Sequence, residues 1–141
     1  MAFKDMAFTL RLIAAAAVLV SGWIHLKLWI DGTRHLDVIG PAFMINAVAA
    51  VVIAVMLMTW RHWVPLFLTV GFGASTFAAF VISATVGLFD VNESFSGSYE
   101  WASLVSEAAA VGFGLWAAWQ EGYLSQLKLE HRQAVRRQHL H

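Results

Sequence analysis

The chain has 141 residues, 60% hydrophobic and 13% charged, with nine Lys and Arg against nine Asp and Glu. Soluble domains carry roughly a quarter charged residues, and the mean hydropathy here is +0.67, so a water-soluble globule is excluded. Cysteine is absent, which excludes disulfides, zinc–thiolate sites and iron–sulfur clusters; no basic excess marks a nucleic-acid binder, and no nucleic-acid partner is expected.

Four apolar runs of roughly 20 residues follow one another, each long enough to cross about 30 Å of hydrocarbon. The first spans about 8–30. It lacks a small-x-small cleavage site followed by a polar region, so it reads as a retained span and not as a signal peptide. Its far end, Ser21-Gly22-Trp23-Ile24-His25-Leu26-Lys27-Leu28-Trp29, places an imidazole and an ammonium near the membrane surface. Lys27 lies about 200° round the helix from His25 and is expected to snorkel to the headgroups. After the polar loop Asp31–Asp37 the second span covers about 41–60, opened by Gly40-Pro41, with proline at a tolerated first-turn position. Arg61-His62 forms a tight turn between Trp60 and Trp63, an interfacial aromatic pair. The third span covers about 65–89, and an acidic loop from Asp90 to Tyr99 leads to the fourth, about 100–119. Residues 1–122 thus form the transmembrane domain, and 123–141 a basic tail expected to continue the fourth span as a weakly amphipathic helix.

Lys4, Arg11, Arg61, Lys128, Arg132, Arg136 and Arg137 fall on one side of the membrane, and Lys27 and Arg34 on the other. The positive-inside rule therefore places both termini in the cytoplasm of a bacterial cell. The expected fold is all-α: an integral membrane antiparallel four-helix bundle in which sequential helices are neighbours. Close packing is expected along two small-residue stripes at four-residue spacing. One is Gly71, Ser75, Ala79, Ser83 and Gly87; the other is Ala102, Ser106, Ala110, Gly114, Ala118 and Gly122.

Each span also carries one polar residue counted to a similar depth, roughly 7–10 Å below the outer boundary. These are His25, Asn46, Ser83 and Glu107. His25 shares its helix face with Ala14, Val18, Ser21 and Gly22, Asn46 with Ala42, Ala49 and Ala50, and Glu107 with Ser103, Ala110 and Gly114. Such faces point at neighbouring helices. An intramembrane carboxyl marks a functional site by default, and Glu107 is expected to couple to His25 directly or through one water. The competing reading is that the four residues hydrogen-bond one another as interhelical glue.

No nucleotide loop, nucleophile elbow or paired-carboxylate motif is present. His25, His35, Met44, Asp31, Asp37, Asp90 and Glu93 make only a weak metal set, and none is predicted. No cofactor is predicted; haem b, five-coordinate on His25, and a quinone are the alternatives weighed. Small multidrug exporters share the span count but carry their intramembrane glutamate in the first span, whereas Glu107 is in the fourth.

Three stretches, Gly22-Trp23-Ile24-His25-Leu26-Lys27-Leu28-Trp29, Ile39-Gly40-Pro41-Ala42-Phe43-Met44-Ile45-Asn46-Ala47 and Val86-Gly87-Leu88-Phe89 with Glu93-Ser94, resemble small uncharacterised four-span membrane proteins common in actinobacteria. In size and span count the chain is also similar to DoxX-like proteins, which implies an association with redox and sulfur metabolism. The function expected first is a binding or accessory module with a small polar pocket opening outward. Its partners would be membrane lipids, other membrane subunits or a second copy. The alternative is a redox or enzyme module acting on a lipid-soluble substrate such as a quinone.

Overall fold

The computed structural model describes residues 3–85, 87 and 98–139. Among them five helices follow in order, α1 (Phe3–Asp31), α2 (Ile39–Thr59), α3 (Trp63–Thr85), α4 (Ser98–Gln120) and α5 (Tyr123–Gln138), with a 3-10 turn at Thr33–His35 and no strand. The stretches Met6–Asp31, Ile39–Thr59, Trp63–Thr85 and Ser98–Gln120 are each long and apolar enough to cross a membrane. The protein is an all-α membrane bundle. Phe89, the expected end of the third span, and positions 90–97 of the acidic loop fall outside the described residues.

Both prolines sit where a helix tolerates them. Pro41 and Pro65 are the third residues of α2 and α3, in first turns whose N–H groups have no intrahelical acceptor. The chain crosses four times, up and down in turn, so the start of α1 and the end of α4 lie at one end, called here the terminal end. The opposite, loop end carries the 3-10 turn.

α1 is the central element. It packs along α2 on one side and α4 on the other, and α3 packs along α4. α2 and α3, although joined by a turn of only a few residues, meet sparsely, which corrects the expectation that all sequential helices pack side by side. The small faces explain this. On α2, Ala47, Ala50 and Ala54 are buried, and a side chain at Gly22 of α1 would run into the Ala50 methyl. The closest face of α2 is thus spent on α1, and that of α3 on α4. The shared core joins Leu10, Ala14 and Val18 with Ile53, Leu57, Leu66, Phe72, Ala110 and Ala117.

The small-residue stripes hold only in part. On α4, Ser106, Ala110 and Gly114 are buried, but Ala102 is exposed and Ala117 takes the buried place expected of Ala118. On α3, Gly71 and Ser75 are exposed, and the buried face is instead Leu66, Thr69, Phe72, Gly73 and Ser83. The reason is geometric. Four residues turn a helix by about 400°, so strict four-residue spacing drifts about 40° per step. Over four steps the stripe wraps most of the way to the opposite face. Helices meet along a 3–4 alternation, which Thr69, Gly73 and Thr76 follow.

Gly73 is the crossing point. A Cβ there would stand 2.7 Å from the Glu107 carbonyl oxygen and 2.9 Å from Val111 Cγ2, whereas one at Gly71 would meet nothing within 4 Å. Gly73→Ala should therefore push α3 off α4 and destabilise the bundle by about 1–3 kcal/mol. Gly71→Ala should be neutral or stabilising, by up to about 1 kcal/mol, because alanine is the better helix former. Thermal unfolding in detergent micelles compares the two, and equal effects would remove the assigned crossing.

The tail does not continue α4. Gly122 has φ 84°, a left-handed conformation open to glycine at little cost, so α4 stops and α5 begins as a separate helix.

Candidate functional site

Two polar clusters lie inside this apolar bundle, one towards each end. The first surrounds Glu107. Its side chain is 1% exposed, at the junction of α1, α3 and α4. Oε1 accepts a hydrogen bond from Ser103 Oγ at 2.7 Å, one turn earlier on α4, and a longer one from Ser21 Oγ of α1 at 3.4 Å. Thr76 of α3 stands beside the same carboxyl; its hydroxyl also donates to the Phe72 carbonyl at 2.6 Å. Oε2 is buried and has no hydrogen-bond partner among the described residues. An orphaned carboxyl oxygen in the interior costs about 1–3 kcal/mol.

Among the described residues no hydrogen bond joins His25 to Glu107 directly. Its Nδ1 lies 2.7 Å from the Ser21 carbonyl and 3.5 Å from Ser21 Oγ. The short contact to a carbonyl makes Nδ1 the donor, which leaves Nε2 as the acceptor of the neutral ring. The ring is half-buried and meets Phe43 of α2 edge-on, with centroids 4.9 Å apart. Ser21 therefore links the two residues, one side to the imidazole and the other to the carboxyl.

Asn46 is half-buried, on the α2 face that carries Phe43 and Ala47. Its Oδ1 is buried and likewise has no partner among the described residues. Ser83 is buried but is not brought to the carboxyl. It lies ten residues beyond Gly73, the residue that touches Glu107, and so about 15 Å along α3. The residue of α3 at the level of Glu107 is Thr76. The depth count assumed a span reaching Phe89, whereas α3 ends at Thr85 and Gly87 takes φ 82°. The 3–4 alternation through Thr69 and Gly73 is the sequence signal that leads to Thr76.

The second cluster is not legible in the sequence. Arg11, which the sequence offers only as one of the charges on the terminal side, is 0% exposed inside α1. Its Nε donates to Glu121 Oε2 at 2.9 Å and Oε1 at 3.1 Å. Nη1 donates to the carbonyls of Trp60 at 3.0 Å and Leu57 at 3.3 Å, and Nη2 to the carbonyl of His62 at 2.8 Å. The guanidinium fork thus ties α1 to the carbonyls at the C-terminus of α2, to the following turn and to the end of α4. The Leu57 carbonyl is one that a helix end leaves unsatisfied, at the negative pole of its dipole, whereas the Trp60 carbonyl also accepts from the His62 N–H at 2.9 Å.

The clusters are separated by about 20 Å of α1, the rise over the residues from Arg11 to His25. Between them lie Ala14, Val18, Leu66, Phe72, Ala110 and Gly114, all buried. Among the described residues no three His, Asp or Glu side chains converge as metal ligands do. Lys27 pairs with Asp31 at 2.7 Å at the loop end of α1, outside the polar centre. Comparison with family models, with characterised proteins and with solved structures finds no match to this chain.

Proposed function

We propose that this membrane protein is a binding or accessory module whose polar centre, Glu107 with Ser21, Thr76, Ser103 and His25, takes a small ligand that donates hydrogen bonds or carries positive charge. The observation that carries the proposal is the buried Glu107 Oε2 without a hydrogen-bond partner among the described residues. A group that served only as glue would have both oxygens engaged across helices. Across helix boundaries Oε1 has only the long bond from Ser21 of α1 among the described residues, with Thr76 of α3 beside the same carboxyl. The second orphan, Asn46 Oδ1, is also an acceptor, so the unmet demand is for donors. An ammonium, a hydroxyl-bearing molecule or a proton meets it.

The redox alternative narrows by the same chemistry. A quinol brings two hydroxyl donors, whereas an oxidised quinone brings only acceptors. Half-buried His25, one turn nearer the loop end than Ser21, marks the route in. The apolar core and the Arg11–Glu121 pair close the other end. α2 exposes Ile45, Val48, Val51, Val52 and Val55, an apolar ridge that suits lipid or a neighbouring subunit of a larger complex.

The loop end is proposed to face outward and both termini the cytoplasm. Arg11 is buried and leaves the surface count, but Arg61 and the arginines of α5 still outweigh Lys27 and Arg34. The chain has no native cysteine, so single replacements report cleanly. Asp37→Cys, at an exposed position, should react with an impermeant thiol reagent on intact cells, and Ser125→Cys should react only after lysis. The reverse pattern would turn the site to the cytoplasm. The ligand itself is sought by native mass spectrometry and solvent extraction of the purified protein beside Glu107→Met. A small molecule present on the wild type and missing from the variant supports the reading, and its equal presence on both removes it.

A further inference from the structure

We infer that α5 is a surface helix for anionic phospholipid, lying along the headgroups at the terminal end of the bundle instead of projecting from it. Gly122, with φ 84°, breaks the line of α4 at the depth where Trp60, Trp63 and Trp119 stand exposed, and exposed tryptophans mark the membrane–water boundary. α5 thus starts at the interface and has changed direction there. Beyond its first turn the described side chains, those of residues 125, 129 and 132–138, are exposed. Tyr123 packs against the core and Leu124 is half-buried, but Ala134 and Val135 are exposed.

The helix gathers apolar residues on one side, with exposed Leu129 on the other and Gln138 within the apolar sector. At about 100° per residue, Tyr123, Leu124, Ala134 and Val135 fall within one sector about 120° wide. Arg132 stands about 60° beyond Val135, and Arg137 about 60° beyond Ala134 on the other flank. Both are exposed, as is Arg136. Arginines at the two margins of an apolar sector can lay their stems on hydrocarbon while the guanidinium groups reach phosphate. Glu130 is the one acidic residue between Tyr123 and Gln138, so the charge favours an anionic surface over a neutral one. Three arginines at such a surface should shift partition onto it by roughly a hundredfold relative to neutral lipid.

The test uses the full-length protein in bilayers of phosphatidylcholine alone or with phosphatidylglycerol. A polarity-sensitive fluorophore is attached at Val135→Cys, on the apolar sector, or at Gln133→Cys, on the opposite side. With phosphatidylglycerol the label at 135 should be shielded from acrylamide and the label at 133 should stay open. The shielding should be lost in pure phosphatidylcholine and in the Arg132→Gln, Arg136→Gln, Arg137→Gln variant. Equal exposure at 135 in both lipids would overturn the assignment. So would shielding that ignores both lipid charge and the arginines, which would mean that protein, such as a second copy, covers this face.

Discussion

Replacing Arg11 by leucine should destabilise the bundle by about 3–5 kcal/mol, the usual cost of removing one partner of a buried charge pair. The change leaves Glu121 without its cation and removes the side-chain donor from the Leu57 and His62 carbonyls, while the Trp60 carbonyl keeps only the His62 N–H. Lysine should rescue only part of the loss, because an ammonium cannot span a carboxylate and three carbonyls as the planar fork does. Glu121→Gln keeps an acceptor facing Nε, and the carbonyls keep their donors, so it should cost less than Arg11→Leu. The double replacement of Arg11 and Glu121 by leucine separates two contributions. If the buried charge dominates, the double variant recovers most of the stability; if capping of α2 dominates, it recovers little. Unfolding by denaturing detergent from mixed micelles measures all four variants. An Arg11→Leu protein within about 0.5 kcal/mol of the wild type would show that the cluster is a bystander.

The second large effect has the opposite sign. Glu107→Met should leave the protein more stable by about 1–3 kcal/mol, while removing whatever the polar centre binds. A buried carboxyl with one orphaned oxygen destabilises the empty protein, and methionine fills similar volume with no polar demand. Ser103 and Ser21 lose an acceptor, but helical serines can turn to a backbone carbonyl one turn back, as Thr69 does to Pro65 and Thr76 to Phe72. Glue predicts the reverse, since loss of the Ser21 bond would loosen α1 from α4. The same unfolding assay decides. A variant less stable than the wild type by a similar amount would return Glu107 to a structural role. Gain of stability with loss of a bound molecule is what a binding site predicts.

Composition and run length by themselves determined the class, four membrane-crossing helices, because the hydrocarbon thickness sets a length that any spanning helix must meet. They also singled out Glu107, since a carboxyl inside such a run stands out whatever the packing. The link from His25 to Glu107 is legible in outline from helix faces, but in the sequence its middle member, Ser21, shows only as a neighbour on the histidine's face. Tertiary structure alone decided three things. It put Thr76 and not Ser83 beside the carboxyl, because relative depth depends on where α3 stops, and a few residues of error displace a side chain by a whole turn. It turned Gly71 and Ser75 outward and Gly73 inward, because the 40° drift of a four-residue repeat is settled only by the partner helix. It drew Arg11 into the interior, because its partners, the Leu57, Trp60 and His62 carbonyls and the Glu121 carboxylate, come from segments 46 to 110 residues away. A charge count along one chain sees the arginine but not the backbone oxygens that fold up around it.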